Sequence, residues 1–126
     1  MPSSPPHSAA TARPKLVLLV EDSPIIAMNT EALLMELDVG GVRTAATVAE
    51  ALALIEAEPF DLAILDLQLG DEDCLPVADR LAALNVPIVF ATGFGDELAA
   101  GGLVRSGRIL KKPYGFAELE RILSEA

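Results

Sequence analysis

Glu21 and Asp22 stand side by side where an apolar run, Leu16 to Val20, stops. A lone Asp66 closes a second such run, Thr92 a third, and Lys111 and Lys112 a fourth, just ahead of Pro113. Taken singly, each has an ordinary reading as a helix cap, a solvated loop residue or a surface charge. Brought together, they have a chemistry. Three converging carboxylates repel one another and raise each other's pKa values. A hard divalent cation such as Mg²⁺, which takes oxygen ligands, relieves that repulsion. A lysine ammonium relieves it too and suits a phosphoryl oxygen. Carboxylates, Mg²⁺, a hydroxyl and a lysine together make a place for a phosphoryl group. The nucleophile there would be a carboxylate, which forms an acyl phosphate.

Other chemistries are excluded by what the chain lacks. His7 is its single histidine and falls in a segment rich in proline and serine, while Cys74 is its single cysteine. That removes serine–histidine triads, cysteine–histidine pairs, histidine-ligated zinc and any intrachain disulfide. A formal net charge of -10, with nine scattered Lys and Arg, leaves no basic stripe for nucleic acid. No apolar run is long enough to span a bilayer, and the first fourteen residues have no apolar signal core. The expectation is a flexible tail over 1–14, one domain over 15–126, and a cytoplasmic location.

The elements that must position these residues follow from periodicity. Strand-like runs cover 15–20, 42–45, 61–66, 87–92 and 108–110, with helix-like segments between them. Ser23 is an N-cap with Pro24 at the first helical position, and Gly40-Gly41 is the expected stop of that helix. Thr47 and Glu50 form a capping box for the next helix, which Pro59 closes. A third helix covers 74–85 and a last one 116–126. The stretch 93–107 holds five glycines, so a short or mobile helix is expected there. Alternation of this kind predicts an α/β fold with a doubly wound, five-stranded parallel sheet in the order 2-1-3-4-5. In that order the carboxyl ends of strands one and three are neighbours, and the acids, Thr92 and the lysines reach one edge of the sheet.

The ordered set "VEDSP", "AILDLQL", "FATG" and "KKP" resembles the receiver domain of bacterial two-component response regulators, over about residues 15–126. The resemblance implies a flavodoxin-like fold and a module that catalyses only its own phosphorylation and dephosphorylation. It implies Asp66 as phosphoacceptor, with Mg²⁺ held by Asp22 directly, by Glu21 mainly through water, and by Asp66 and the Gln68 backbone carbonyl. It implies that Thr92 binds a phosphoryl oxygen and moves as the switch. Lys112 would pair with the phosphoryl group across a Lys112–Pro113 bond that is often cis in the family, and Lys111 would be an exposed neighbour. The phosphodonor would be a sensor histidine kinase or a histidine phosphotransfer protein. Lacking an output domain, the chain is expected to be a single-domain regulator, signalling by protein contacts or draining phosphate from a kinase.

Many receivers carry Tyr or Phe three residues before the conserved lysine, as the partner of the threonine switch. Ile109 holds that place here. "VFATGFGD" with "LKKPYG" is similar to a subgroup named for its FAT GUY motif, with Phe94 in the Tyr place. That subgroup is associated with HWE and HisKA2 kinases, and it would switch by ordering the segment between Thr92 and Arg108. A haloacid-dehalogenase-like phosphatase needs a second Asp where Gln68 stands. A calcium loop needs oxygen ligands where Gln68 and Gly70 stand. Asp71, Glu72 and Asp73 then read as a solvated loop beside the site. The competing reading from another class is a receiver-like module that binds partners without being phosphorylated.

Overall fold

Every predicted apolar run becomes a strand in the computed structural model, which describes residues 13–70, 72–93 and 108–125. The order is β1 (Val17–Val20), α1 (Pro24–Glu36), β2 (Val42–Ala45), α2 (Val48–Ala57), β3 (Leu62–Asp66), α3 (Leu75–Ala83), β4 (Ile88–Thr92), β5 (Arg108–Lys111) and α4 (Phe116–Glu125). All pairings are parallel, in the order β2-β1-β3-β4-β5. The helix expected within 93–107 lies outside the described residues, apart from Gly93, as do residues 1–12 of the tail expected over 1–14.

Successive strand residues face opposite sides of the sheet. Leu18, Val20, Ala63, Leu65 and Phe90 pack with Ala51, Ile55, Val77 and Leu81 of α2 and α3. Val17, Leu19, Ile64, Val89 and Leu110 pack on the other side with Leu34 of α1 and Leu119, Ile122 and Leu123 of α4. Each fully buried Leu, Ile or Val contributes about 1.5–3 kcal/mol. Both faces of the central strands are covered, so the strand ends, and whatever they carry, are held rigidly.

The caps follow the expectation at two helices. Ser23 Oγ accepts from Ile26 N, with Pro24 in the first turn of α1. Thr47 Oγ1 accepts from Glu50 N at 3.1 Å, while Glu50 Oε1 reaches back to Ala46 N at 2.8 Å. The end of α1 differs. Asp38, with φ 67°, takes the left-handed position that stops the helix. Gly40 serves close packing instead, since a Cβ there would lie 2.4 Å from the Lys15 carbonyl oxygen. Asn85, with φ 61°, does for α3 what Asp38 does for α1. The apolar pattern of α1 also divides: Leu34 and Leu37 are buried, whereas Ile25 is 78% and Met28 71% exposed. Among the described residues, no helix is long and apolar enough to cross a membrane.

Candidate functional site

The register of the sheet brings the predicted residues to one edge. Val20 pairs with Leu65, so Glu21 and Asp66 leave neighbouring strands at the same level. Asp66 pairs with Ala91, and Thr92 with Lys111. The backbone N–H of Lys112 then donates to the Thr92 carbonyl at 2.7 Å, extending the ladder by one residue. Lys112 is the lysine that turns inward; Lys111 is exposed. The Lys112–Pro113 peptide bond is cis.

At the centre are two buried carboxylates and one ammonium. Asp66 is 3% and Glu21 4% exposed. Lys112 Nζ lies 2.8 Å from Asp66 Oδ2 and 3.1 Å from Glu21 Oε1. The remaining oxygens take main-chain donors: Gln68 N–H gives to Asp66 Oδ1 at 2.9 Å, and Ser23 N–H to Glu21 Oε2 at 3.1 Å. Burial pushes the Glu21 carboxyl up, and hydrogen bonding to Asp66 pushes it further; the Ser23 N–H and Lys112 only partly offset this. Burial alone would lower the Lys112 ammonium, but its hydrogen bonds and charge interactions with Asp66 and Glu21 outweigh that and hold it above its ordinary value.

Asp22 is exposed beside this pair, and one oxygen from each of Glu21, Asp22 and Asp66 falls within a sphere of mutual distances below 4.8 Å. Gly70, with φ 59°, carries the loop after β3 close over Asp22, where an added Cβ would be 3.9 Å from Asp22 Oδ2. This acidic cluster is compatible with a divalent metal at a phosphoaccepting site. The donors are all hard oxygens, as Mg²⁺ prefers. The raised Glu21 pKa is the strain such a cation would relieve. Thr92 is fully buried, and its Oγ1 has no hydrogen-bond partner among the described residues. A buried hydroxyl without a partner is costly.

Two members of the acidic loop after Asp66 turn out to be helix caps. Glu72 Oε1 accepts from Val48 N at the start of α2, and Asp73 Oδ1 from Leu75 N at the start of α3. Both stay exposed, but free N–H groups of helix starts hold them. Asp71 lies outside the described residues. Ile109, in the place of the usual aromatic, is 37% exposed on β5. The sequence reading missed one polar contact nearby: Thr30 of α1 and Tyr114 share a hydrogen bond of 2.8 Å between their hydroxyls.

Comparison with known proteins agrees with this geometry. The family model described as "Response regulator receiver domain" matches residues 17–124. The phyllosphere-induced regulator PhyR of Methylorubrum extorquens is 30% identical over 113 residues, 87% of this chain and 42% of its own length. The transcriptional regulatory protein PdtaR of Mycobacterium tuberculosis is 29% identical, with 58% of its length covered. The chain thus spans about half the length of these curated relatives. The solution structure of SdrG from Pseudomonas melonis in its BeF3-activated conformation is 41% identical, with a TM-score of 0.75, covering 90% of this chain and 96% of that one. Receiver domains are signalling modules that act on their own phosphorylation and are not enzymes in the ordinary sense; they partner histidine kinases or histidine phosphotransfer proteins. By the matched span, and in keeping with its sheet order and buried acid pair, the chain belongs to the response-regulator receiver domain family.

Proposed function

We propose that this receiver accepts a phosphoryl group on Asp66 from a phosphohistidine donor, with Mg²⁺. The observation that carries the reading is the buried Asp66 carboxylate, oriented by the Gln68 N–H and paired to Lys112 beside two further acids. An Asp66 oxygen forms the new P–O bond as the donor's P–N bond breaks, and the bonding pair leaves with the imidazole, which takes a proton. Lys112 then faces the oxygens of the transferred group, and the Thr92 hydroxyl supplies a donor to one of them. Glu21, Asp22, Asp66 and the Gln68 carbonyl would hold the metal, which when bound spreads the charge of the phosphoryl oxygens.

The finer placement is with the FAT GUY subgroup and an HWE or HisKA2 kinase as donor. The FATG run ending β4, Ile109 in place of the aromatic, and the similarity to SdrG support it. Exposed Ile25 and Met28 at the start of α1, beside the acids, give a donor protein an apolar surface to seat on. The structure of the PhyR stress response regulator is 31% identical to this chain, and that likeness supports a role in stress signalling. The receiver unit in this reading is 15–126, with 1–14 a tail.

Beryllofluoride, a mimic of the phosphoryl group on a carboxylate, tests the assignment. Amide resonances of Asp66, Thr92 and Lys112 are expected to move when beryllofluoride is added in Mg²⁺, and not in Asp66→Asn. Equal shifts in both proteins would contradict it.

A further inference from the structure

Lys112 has two anchors beyond its own charge. One is the bond from its backbone N–H to the Thr92 carbonyl, 2.7 Å. The other lies two residues on, where the Tyr114 hydroxyl meets Thr30 Oγ1 at 2.8 Å. Thr30 is 1% exposed, and its hydroxyl on α1 is covered with Tyr114 as its partner. Tyr114 is itself half-buried, and burial pushes its phenol up, so it stays a neutral hydroxyl. Packing does not do this work alone. A cavity of about 450 Å³ opens between α1 and the strand ends, with Ile26, Leu33, Gly93 and Lys112 in its wall. On that side the loop from Lys112 to Gly115 has room to shift.

We propose that Tyr114 is a positioning residue: its hydrogen bond to Thr30 ties the loop to α1 and so sets the Lys112 ammonium against Asp66. The proposal rests on the phosphoacceptor reading of Asp66. Neither Thr30 nor Tyr114 is in the acidic cluster, so their loss removes no metal ligand and should slow the step that needs Lys112 in place.

The test uses wild type, Tyr114→Phe, Thr30→Val, the double variant and Thr30→Ser. Phosphorylation by acetyl phosphate is timed in saturating Mg²⁺ well below each melting temperature, and Mg²⁺ affinity is measured by calorimetry. The Lys112 Nζ resonance is followed in the metal-free proteins. Each of the first two substitutions is expected to slow phosphorylation by about three- to tenfold, the net worth of one hydrogen bond. Mg²⁺ affinity does not fall, since the acids that would hold the ion are all retained and a displaced Lys112 competes for them less, and the Lys112 signal moves while that of Lys111 does not. The double variant is no slower than the slower single one, and Thr30→Ser, which keeps the hydroxyl, reacts like wild type. Should Tyr114→Phe fail to fold, Thr30→Val probes the same bond from its other end. Wild-type rates with an unmoved Lys112 signal would overturn the tether, as would additive slowing or a Thr30→Ser as slow as Thr30→Val. Those outcomes differ from a wild type that takes no phosphoryl group from acetyl phosphate or from a phosphorylated histidine kinase, which would remove the phosphoacceptor reading and the tether with it.

Discussion

One ammonium serves two buried carboxylates: Lys112 Nζ stands 2.8 Å from Asp66 Oδ2 and 3.1 Å from Glu21 Oε1. The lysine is thus a structural counter-charge before it is anything else. Removing it leaves buried acids with no cation, as breaking a buried ion pair does. Lys112→Ala should therefore cost about 3 kcal/mol in the metal-free protein. In wild type that contribution is complete below the lysine's ordinary value of 10.5 and is lost only as pH rises through its raised folded value. Saturating Mg²⁺ should return part of the loss. Urea unfolding in EDTA and in Mg²⁺ measures both; an equal deficit in the two conditions would show that metal and lysine do not share the acids.

Glu21 gives stability the opposite dependence to that of an exposed, paired carboxylate. Its folded pKa lies above the ordinary value of 4.5, chiefly through burial and then through Asp66. The stability it contributes is complete below 4.5 and is lost as pH rises through the raised value. Without metal, wild type should lose stability relative to Glu21→Gln as pH rises from 4.5 through that raised value. Parallel pH–stability curves for the two proteins in EDTA would contradict this.

Asp22 is the exposed acid of the cluster, so its loss should disturb folding little and metal binding much. Asp22→Asn is expected to weaken Mg²⁺ by about tenfold or more, taking the lower end of what outer-shell changes cost as a floor. Its melting temperature in EDTA should match wild type. Calorimetric titration with Mg²⁺ decides it, and wild-type affinity would remove Asp22 from the ligand set.

Thr92 sets stability against function. Its buried hydroxyl has no partner among the described residues, and leaving such a group unpaired costs about 1–3 kcal/mol. Thr92→Val keeps the shape and removes the unpaired group, so it should stabilise the protein by about 1 kcal/mol. Under the proposed reading it should also slow phosphorylation. Chemical denaturation beside an acetyl phosphate time course checks both, and a variant less stable than wild type would mean that the hydroxyl already has a partner.

The parts of this molecule visible in its sequence are those with local signals. Strand ends show as apolar runs that stop at a charge or a hydroxyl, so the sequence alone places Glu21, Asp22, Asp66, Thr92 and Lys112 on one edge. Ser23 and the Thr47–Glu50 box are spacing signals, and they hold. Other features needed the third dimension. That Gly40 packs on Lys15 while Asp38 stops α1 depends on where the chain before β1 runs. Glu72 caps a helix that begins 24 residues earlier. The Thr30–Tyr114 bond joins residues 84 apart, with no periodicity to announce it. The sharing of Lys112 between Glu21 and Asp66 follows from sheet register, which charge alone does not specify.

The most direct test of the central claim is intact-mass analysis and peptide mapping after incubation with acetyl phosphate, with and without Mg²⁺, for wild type and Asp66→Asn. A single Mg²⁺-dependent phosphoryl adduct on the peptide that contains Asp66, absent from the variant, is the predicted result. An adduct that persists in Asp66→Asn, or a wild type that binds Mg²⁺ yet gains no adduct from acetyl phosphate or from a phosphorylated histidine kinase, would contradict it.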